Sequence, residues 1–79
     1  MSDPIEFIRF VAESLVDDPS EVSAVEGDSS RGRSVQLQVA PDDMGRVIGR
    51  DGRIANAMRT LLRTGRYSER WGLEVRDRE

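Results

Sequence analysis

Two glycines three residues apart, Gly49 and Gly52, separate two amphipathic helices with only two polar residues between them. Without a Cβ, glycine reaches backbone angles closed to other residues and lets a ligand's own backbone approach closely. The bend Gly49-Arg50-Asp51-Gly52 is therefore expected to be sharp and accessible. Before it, Pro41-Asp42-Asp43 places proline and acids where the positive pole of a short helix wants them, with Met44, Val47 and Ile48 as the inner face. After it, the spacing predicts a helix from about Arg53 to Thr64 that buries Ile54, Ala57, Met58, Leu61 and Leu62 and stops at Gly65. The amides of Gly49 to Arg53 are expected to face outward, and with the helix dipole, Arg50 and Arg53 they form an anion site.

Upstream, Asp3 is placed to cap a first helix, Pro4 suits its first turn, and Glu6 completes a capping-box pattern. Ile5, Ile8, Val11, Ala12, Leu15 and Val16 form one helical stripe, closed by Asp17-Asp18-Pro19. Glu21 to Glu26 gives an imperfect strand signal before the turn-rich run from Gly27 to Gly32. Val35, Leu37 and Val39 then alternate with Ser34, Gln36 and Gln38, the period of a strand buried on one face. A polar turn from Arg66 to Glu69 precedes a last strand, in which Trp71, Leu73 and Val75 alternate with Gly72, Glu74 and Arg76. The expected order is helix, strand, strand, helix, helix, strand: one α+β domain over residues 1–79, its helices on one face of a three-stranded sheet.

Composition narrows the chemistry. The 79 residues include neither cysteine nor histidine, which removes disulfides, thiolate metal sites, the commonest zinc ligand and the usual general base. The acid pairs Asp17-Asp18 and Asp42-Asp43 lie at helix ends, where capping and dipole effects explain them. Gly45, Gly49 and Gly52 neither fit a dinucleotide fingerprint nor precede a Lys-Ser/Thr pair. No catalytic residue, metal, cofactor or small-molecule substrate is expected, and with no signal-peptide pattern or apolar run near a bilayer span, a soluble cytoplasmic protein is the expectation.

The net charge of −3 conceals a division along the chain. Residues 1–43 hold ten acids against three arginines, whereas residues 44–79 hold nine arginines against five acids. All twelve cations are arginine, whose planar fork suits phosphate contacts and stacking on bases.

The segment Val47-Ile48-Gly49-Arg50-Asp51-Gly52-Arg53-Ile54 resembles the signature of the KH domain family, an Ile-Gly-x-x-Gly-x-x-Ile loop between two helices. Ile48, Gly49, Gly52 and Arg53 fall into place; the apolar position after the loop is met at Ile54, and Ala55 stands one residue later. The element order is similar to the bacterial, type II arrangement. The longer string VAPDDMGRVIGRDGRIANAMRTLLR is similar to the small stand-alone bacterial KH proteins of the KhpA family, over essentially the whole chain, with residues 39–63 the specific part. The resemblance implies a cytoplasmic, non-catalytic protein that clamps about four nucleotides of single-stranded RNA. It also implies a homodimer, pairing with a second KH protein of the KhpB or Jag type, and an influence on RNA fate, as a post-transcriptional regulator or RNA chaperone, and on cell envelope growth and cell shape.

The RNA-binding residues so designated are Arg46, Ile48, Gly49, Arg50, Asp51, Gly52, Arg53 and Ile54. Arg46, Arg50 and Arg53 flank the bend and are expected to meet phosphate, while Arg59, Arg63 and Arg66 fit a solvated face pairing with acids equally well. Ile48, Ile54 and Val39 suit both the core and the apolar floor of a groove. Asp51 sets a carboxylate beside Arg50, so weak and salt-sensitive binding is expected. Trp71 and Tyr67 could stack on bases, yet a strand-borne tryptophan fits the core better. The rival reading is a protein-interaction module that keeps the KH fold, with Met58 and Leu62 as surplus apolar surface for dimerisation.

Overall fold

Three short strands in one mixed sheet form the floor of the molecule, and the order of elements follows the expected one. The computed structural model describes residues 3–29, 32–65, 67 and 71–77. Helix α1 spans Pro4–Leu15, strand β1 Ser23–Ser29, β2 Gly32–Val39, α2 Met44–Ile48, α3 Arg53–Thr64 and β3 Gly72–Asp77. Single 3-10 turns occupy Pro19–Glu21, Pro41–Asp43 and Arg50–Gly52.

Asp3 caps α1 by accepting the Ile5 amide at 2.8 Å. Ile8 and Ala12 are fully buried, with Ile5, Val11, Leu15 and Val16 packed beside them, so the whole stripe read from the sequence faces the core.

Strand β2 is central, antiparallel to β1 and parallel to β3. The register sets Leu37 between Ala24 and Val75, and Val35 between Glu26 and Leu73. Val35, Leu37 and Val39 have no exposed surface. Each such aliphatic side chain contributes about 1.5–3 kcal/mol of burial, so this strand anchors the core. Helix α1 lies over β1 and β2, and α2 and α3 lie toward β3.

Strand β1 runs further than the alternation suggests, continuing through Gly27-Asp28-Ser29 where a turn was expected. Gly27 pairs with Ser34, whose hydroxyl donates to the Gly27 carbonyl at 3.3 Å, and a Cβ at Gly27 would fall on the Gln36 side-chain amide. Glycine here marks a close approach within a strand, not the end of one. The same packing buries Ser34, a position expected on the polar side. Of the two expected turns, residues 30 and 31 and residues 66, 68 and 69 lie outside the described residues.

Trp71 sits in the core at 9 % exposure, under the Arg33 guanidinium 5.9 Å from its ring centroid. That settles the choice between core and stacking platform for this residue. Tyr67 is also packed against the core.

Helix α3 corrects the expected inner face. Ala55, Met58 and Leu62 are buried and Ile54 is partly so, whereas Ala57 is exposed and Leu61 is 49 % exposed. Met58 and Leu62 are therefore core residues, at 2 % and 1 %, and not surplus surface. The sequence stripe was drawn one position too far round the helix, because Ala55 is small enough to be overlooked as a core contact.

Among the described residues, no helix is long and apolar enough to cross a membrane, and no three acidic, histidine or cysteine side chains are grouped to hold a metal ion.

Candidate functional site

Helix α2 stops at Gly49, whose amide donates to the Gly45 carbonyl at 2.9 Å while its own backbone turns to φ 79°, ψ 171°. This region is essentially closed to residues with a Cβ. Arg50 follows, then Asp51 at φ 57°, ψ 24° and Gly52 at φ 78°, ψ 14°, two consecutive left-handed residues that swing the chain into α3. Aspartate is one of the few non-glycine residues that tolerates this conformation, because its short polar side chain can bond locally. Asp51 thus has a conformational reason for its place that charge alone does not reveal.

Not all five loop amides are available. Gly49 donates to Gly45, Gly52 donates to the Gly49 carbonyl at 3.1 Å, and Arg53 donates to the Arg50 carbonyl. The amides of Arg50 and Asp51 have no acceptor among the described residues. The expected five-amide cradle is in fact two amides at the tip of the bend. The turn needs the others for its own closure.

Of the three arginines expected to meet phosphate at the bend, Arg46 is turned elsewhere. Arg46 is held by acids: one terminal nitrogen lies 3.0 Å from Asp17 and the other 3.3 Å from the buried Asp43. Arg33 pairs with Glu26 and Arg76 with Glu74. Arg50 and Arg53 are exposed and have no acid partner among the described residues. Both stand at the positive pole of α3, where a cation is unfavourable and an anion favourable. Two guanidiniums without an acid partner and two amides without an acceptor, among the described residues, thus stand together at this bend.

Ile48 and Ile54 are partly buried and pack against the core on either side of the bend, and Ile54 lies against Gly49, where a Cβ would approach its Cγ1 to 2.7 Å. They keep enough exposed surface to form an apolar floor. Val39 does not, since it is fully buried. Of the eight designated residues, seven form this continuous bend and Arg46 faces a separate acidic cluster.

Two residues of the site region escaped the sequence reading. Asp43 was explained as a helix-end acid, yet it makes no cap to its own helix. At 2 % exposure its carboxylate accepts the Asp17 and Asp18 amides, each at 3.2 Å, and so fastens the start of α2 to the chain just after α1. Asn56 lies one turn past Gly52, with its Nδ2 3.6 Å from where a Gly52 Cβ would stand. Its position four residues after the second glycine was the available signal.

Residues 5–73 match the family model described as KhpA/KhpB, KH domain. The chain is 42% identical over 74 residues to the RNA-binding protein KhpA of Treponema pallidum, covering 91% of this chain and 92% of that protein. It is 42% identical over 65 residues to the RNA-binding protein KhpA of Caldanaerobacter subterraneus, covering 82% and 87% respectively. Against the RNA-binding protein KhpA of Mycobacterium tuberculosis it is 43% identical over 58 residues, 73% of this chain and 72% of the relative. No solved structure matches. Sequence match, element order and a two-glycine bend between α2 and α3 agree, and the chain belongs to the KhpA/KhpB family of KH domains, which is not a family of enzymes.

Proposed function

We propose that this protein binds single-stranded RNA non-catalytically, with the Arg50 and Asp51 amides and the Arg50 and Arg53 guanidiniums on phosphates and with Ile48 and Ile54 under the bases. The observation that carries this reading is the pair of arginines that, among the described residues, lack an acid partner beside two amides that lack an acceptor, at the positive end of α3. The relatives named as RNA-binding proteins support it. Gly49 and Gly52 supply the backbone, and Asp51 supplies a left-handed residue at an electrostatic cost.

The charges at the tip give two predictions of opposite sign. A unit charge about 5 Å from a phosphate is worth about 0.8 kcal/mol under water-like screening. Arg50→Asp changes two units, so RNA affinity should fall about tenfold to twentyfold. Asp51→Asn keeps a residue suited to the left-handed region and should raise affinity by about twofold to fourfold. Filter binding of a short oligouridylate at low salt reads both. Unchanged affinity for both variants, with the fold intact by circular dichroism, would remove the bend from the binding site.

The reading extends to a cytoplasmic regulator or chaperone of RNA that influences cell envelope growth and cell shape and acts as a homodimer or with a KhpB/Jag-type KH partner. With Met58 and Leu62 in the core, the large apolar side chains exposed among the described residues are Leu61 on α3, Phe10 on α1 and Val25 on β1, at 49 %, 55 % and 51 %, and of these Leu61 stands on the helix that leaves the bend. Light scattering of the same samples should show Leu61→Glu losing self-association while keeping RNA affinity; a monomeric parent protein would remove the homodimer from the proposal.

A further inference from the structure

We infer that bound RNA does not end at the glycine bend but continues along the outer side of α3, on a track formed by Asn56, Arg59 and Arg63. This rests on the reading of the bend as the RNA grip and extends it to nucleotides beyond those held there.

Helix geometry lays the track out. Counted from Gly52, these residues are four, seven and eleven positions on, which at 3.6 residues per turn falls within about 60° of arc and carries the track to about 16 Å from Gly52 along the axis. All three are exposed. The track starts at the bend itself, since the Asn56 Nδ2 is the nearest atom to a Cβ placed on Gly52. Asn56 is oriented by Arg59, whose Nη1 donates to its Oδ1 at 3.1 Å. A guanidinium can only donate, so the carboxamide oxygen must face Arg59 and its NH2 is left pointing toward the bend. Arg59 spends one of its donors on this contact and keeps the rest for another acceptor.

Charge distinguishes this stripe from an ordinary solvated helix face. The sequence of α3, RIANAMRTLLRT, contains no acid, so no partner stands three or four residues from Arg59 or Arg63 within the helix. Neither arginine has an acid partner among the described residues, whereas Arg33, Arg46 and Arg76 all do. In a chain of net charge −3, a face that no acid neutralises among the described residues favours a polyanion against it, contiguous with the proposed anion site at the bend. Contacts of this kind go to phosphate, so the track adds affinity and RNA length dependence without adding base preference.

The test compares oligouridylates of four and twelve nucleotides, titrated at several salt concentrations with the parent protein and with the Arg59→Gln/Arg63→Gln double variant. Glutamine matches arginine closely in helix propensity, and circular dichroism confirms that the helix persists. For the twelve-nucleotide RNA, the slope of log affinity against log salt should become shallower by about 1.4, with about a tenfold loss at low salt, because two phosphate contacts are gone. Affinity for the four-nucleotide RNA should stay within about twofold. An Arg9→Gln/Arg76→Gln variant, of the same net charge, should leave both RNAs within about twofold, which separates a local track from overall charge. Equal losses on both lengths, an unchanged slope on the longer one, or an equal loss in the control variant would overturn the inference. Failure of the underlying reading looks different: Arg50→Asp would then leave four-nucleotide binding unchanged.

Discussion

Gly49→Ala is expected to destabilise the domain by roughly 3 kcal/mol or more, while Gly52→Ala at the other end of the same bend costs only about 1 kcal/mol. The two glycines look alike in the sequence, and both have positive φ. Their surroundings differ. At Gly49 the backbone lies at φ 79°, ψ 171°, a region that costs a residue with a Cβ about 1–3 kcal/mol. The added atom would also stand 2.7 Å from Ile54 Cγ1 and 3.0 Å from the Ile54 amide nitrogen. A side chain can turn aside, but the amide is the first turn of α3, so relief requires shifting that helix against the core. Gly52 is in the ordinary left-handed well, and a Cβ there meets nothing nearer than Asn56 Nδ2 at 3.6 Å.

A domain of this size has about 5 kcal/mol of total stability to lose. Urea denaturation should therefore find the Gly52→Ala protein folded with a lowered midpoint and the Gly49→Ala protein largely unfolded at low denaturant. Equal midpoints for the two would show that the described loop geometry is wrong.

Asp43→Ala should cost about 3 kcal/mol, although nothing in the sequence singles out Asp43 from Asp42 beside it. Its carboxylate is 2 % exposed and holds two backbone amides of the segment after α1 together with Arg46. Removing it leaves the Asp17 and Asp18 amides without their acceptor at a partly buried site, each loss costing about 1–3 kcal/mol, and takes from Arg46 one of its two acid partners. Asp42→Ala, at an exposed neighbour, should stay within about 0.5 kcal/mol of the parent. Urea midpoints again provide the measurement. A loss below about 1 kcal/mol for Asp43→Ala would mean that solvent replaces the carboxylate and that the junction between α1 and α2 does not depend on it. The junction bears on the proposed function because α2 leads directly into the glycine bend and Asp43 fastens the start of α2.

These two residues also show what the sequence could and could not disclose. Periodicity identified every helix and strand, because burial on one face leaves a regular apolar record, as with Val35, Leu37 and Val39 in β2 or Ile8 and Ala12 in α1. It failed where small residues do the packing. Ala55 faces the core and Ala57 does not, and Gly27 continues a strand because the Gln36 side chain lies over it. The bend was legible since glycines mark unusual backbone angles wherever they interrupt a helical pattern. Which of its amides remained free was not, because that depends on how the turn closes on itself. The partners of the arginines were equally hidden. Arg46 is adjacent to the bend in sequence, yet it turns to Asp17, which lies far away along the chain. Such long-range pairings leave no local pattern.

The central claim is that the Arg50 and Asp51 amides, at the tip of the bend, receive RNA phosphate. Nitrogen-15 NMR titration of the intact protein with a four-nucleotide oligouridylate tests it most directly. The largest amide shifts are expected at Arg50 and Asp51, smaller ones at Ile48 and Ile54, and little change at Arg33 or Arg76. Saturable binding that moves the sheet amides and leaves Arg50 and Asp51 in place would contradict it.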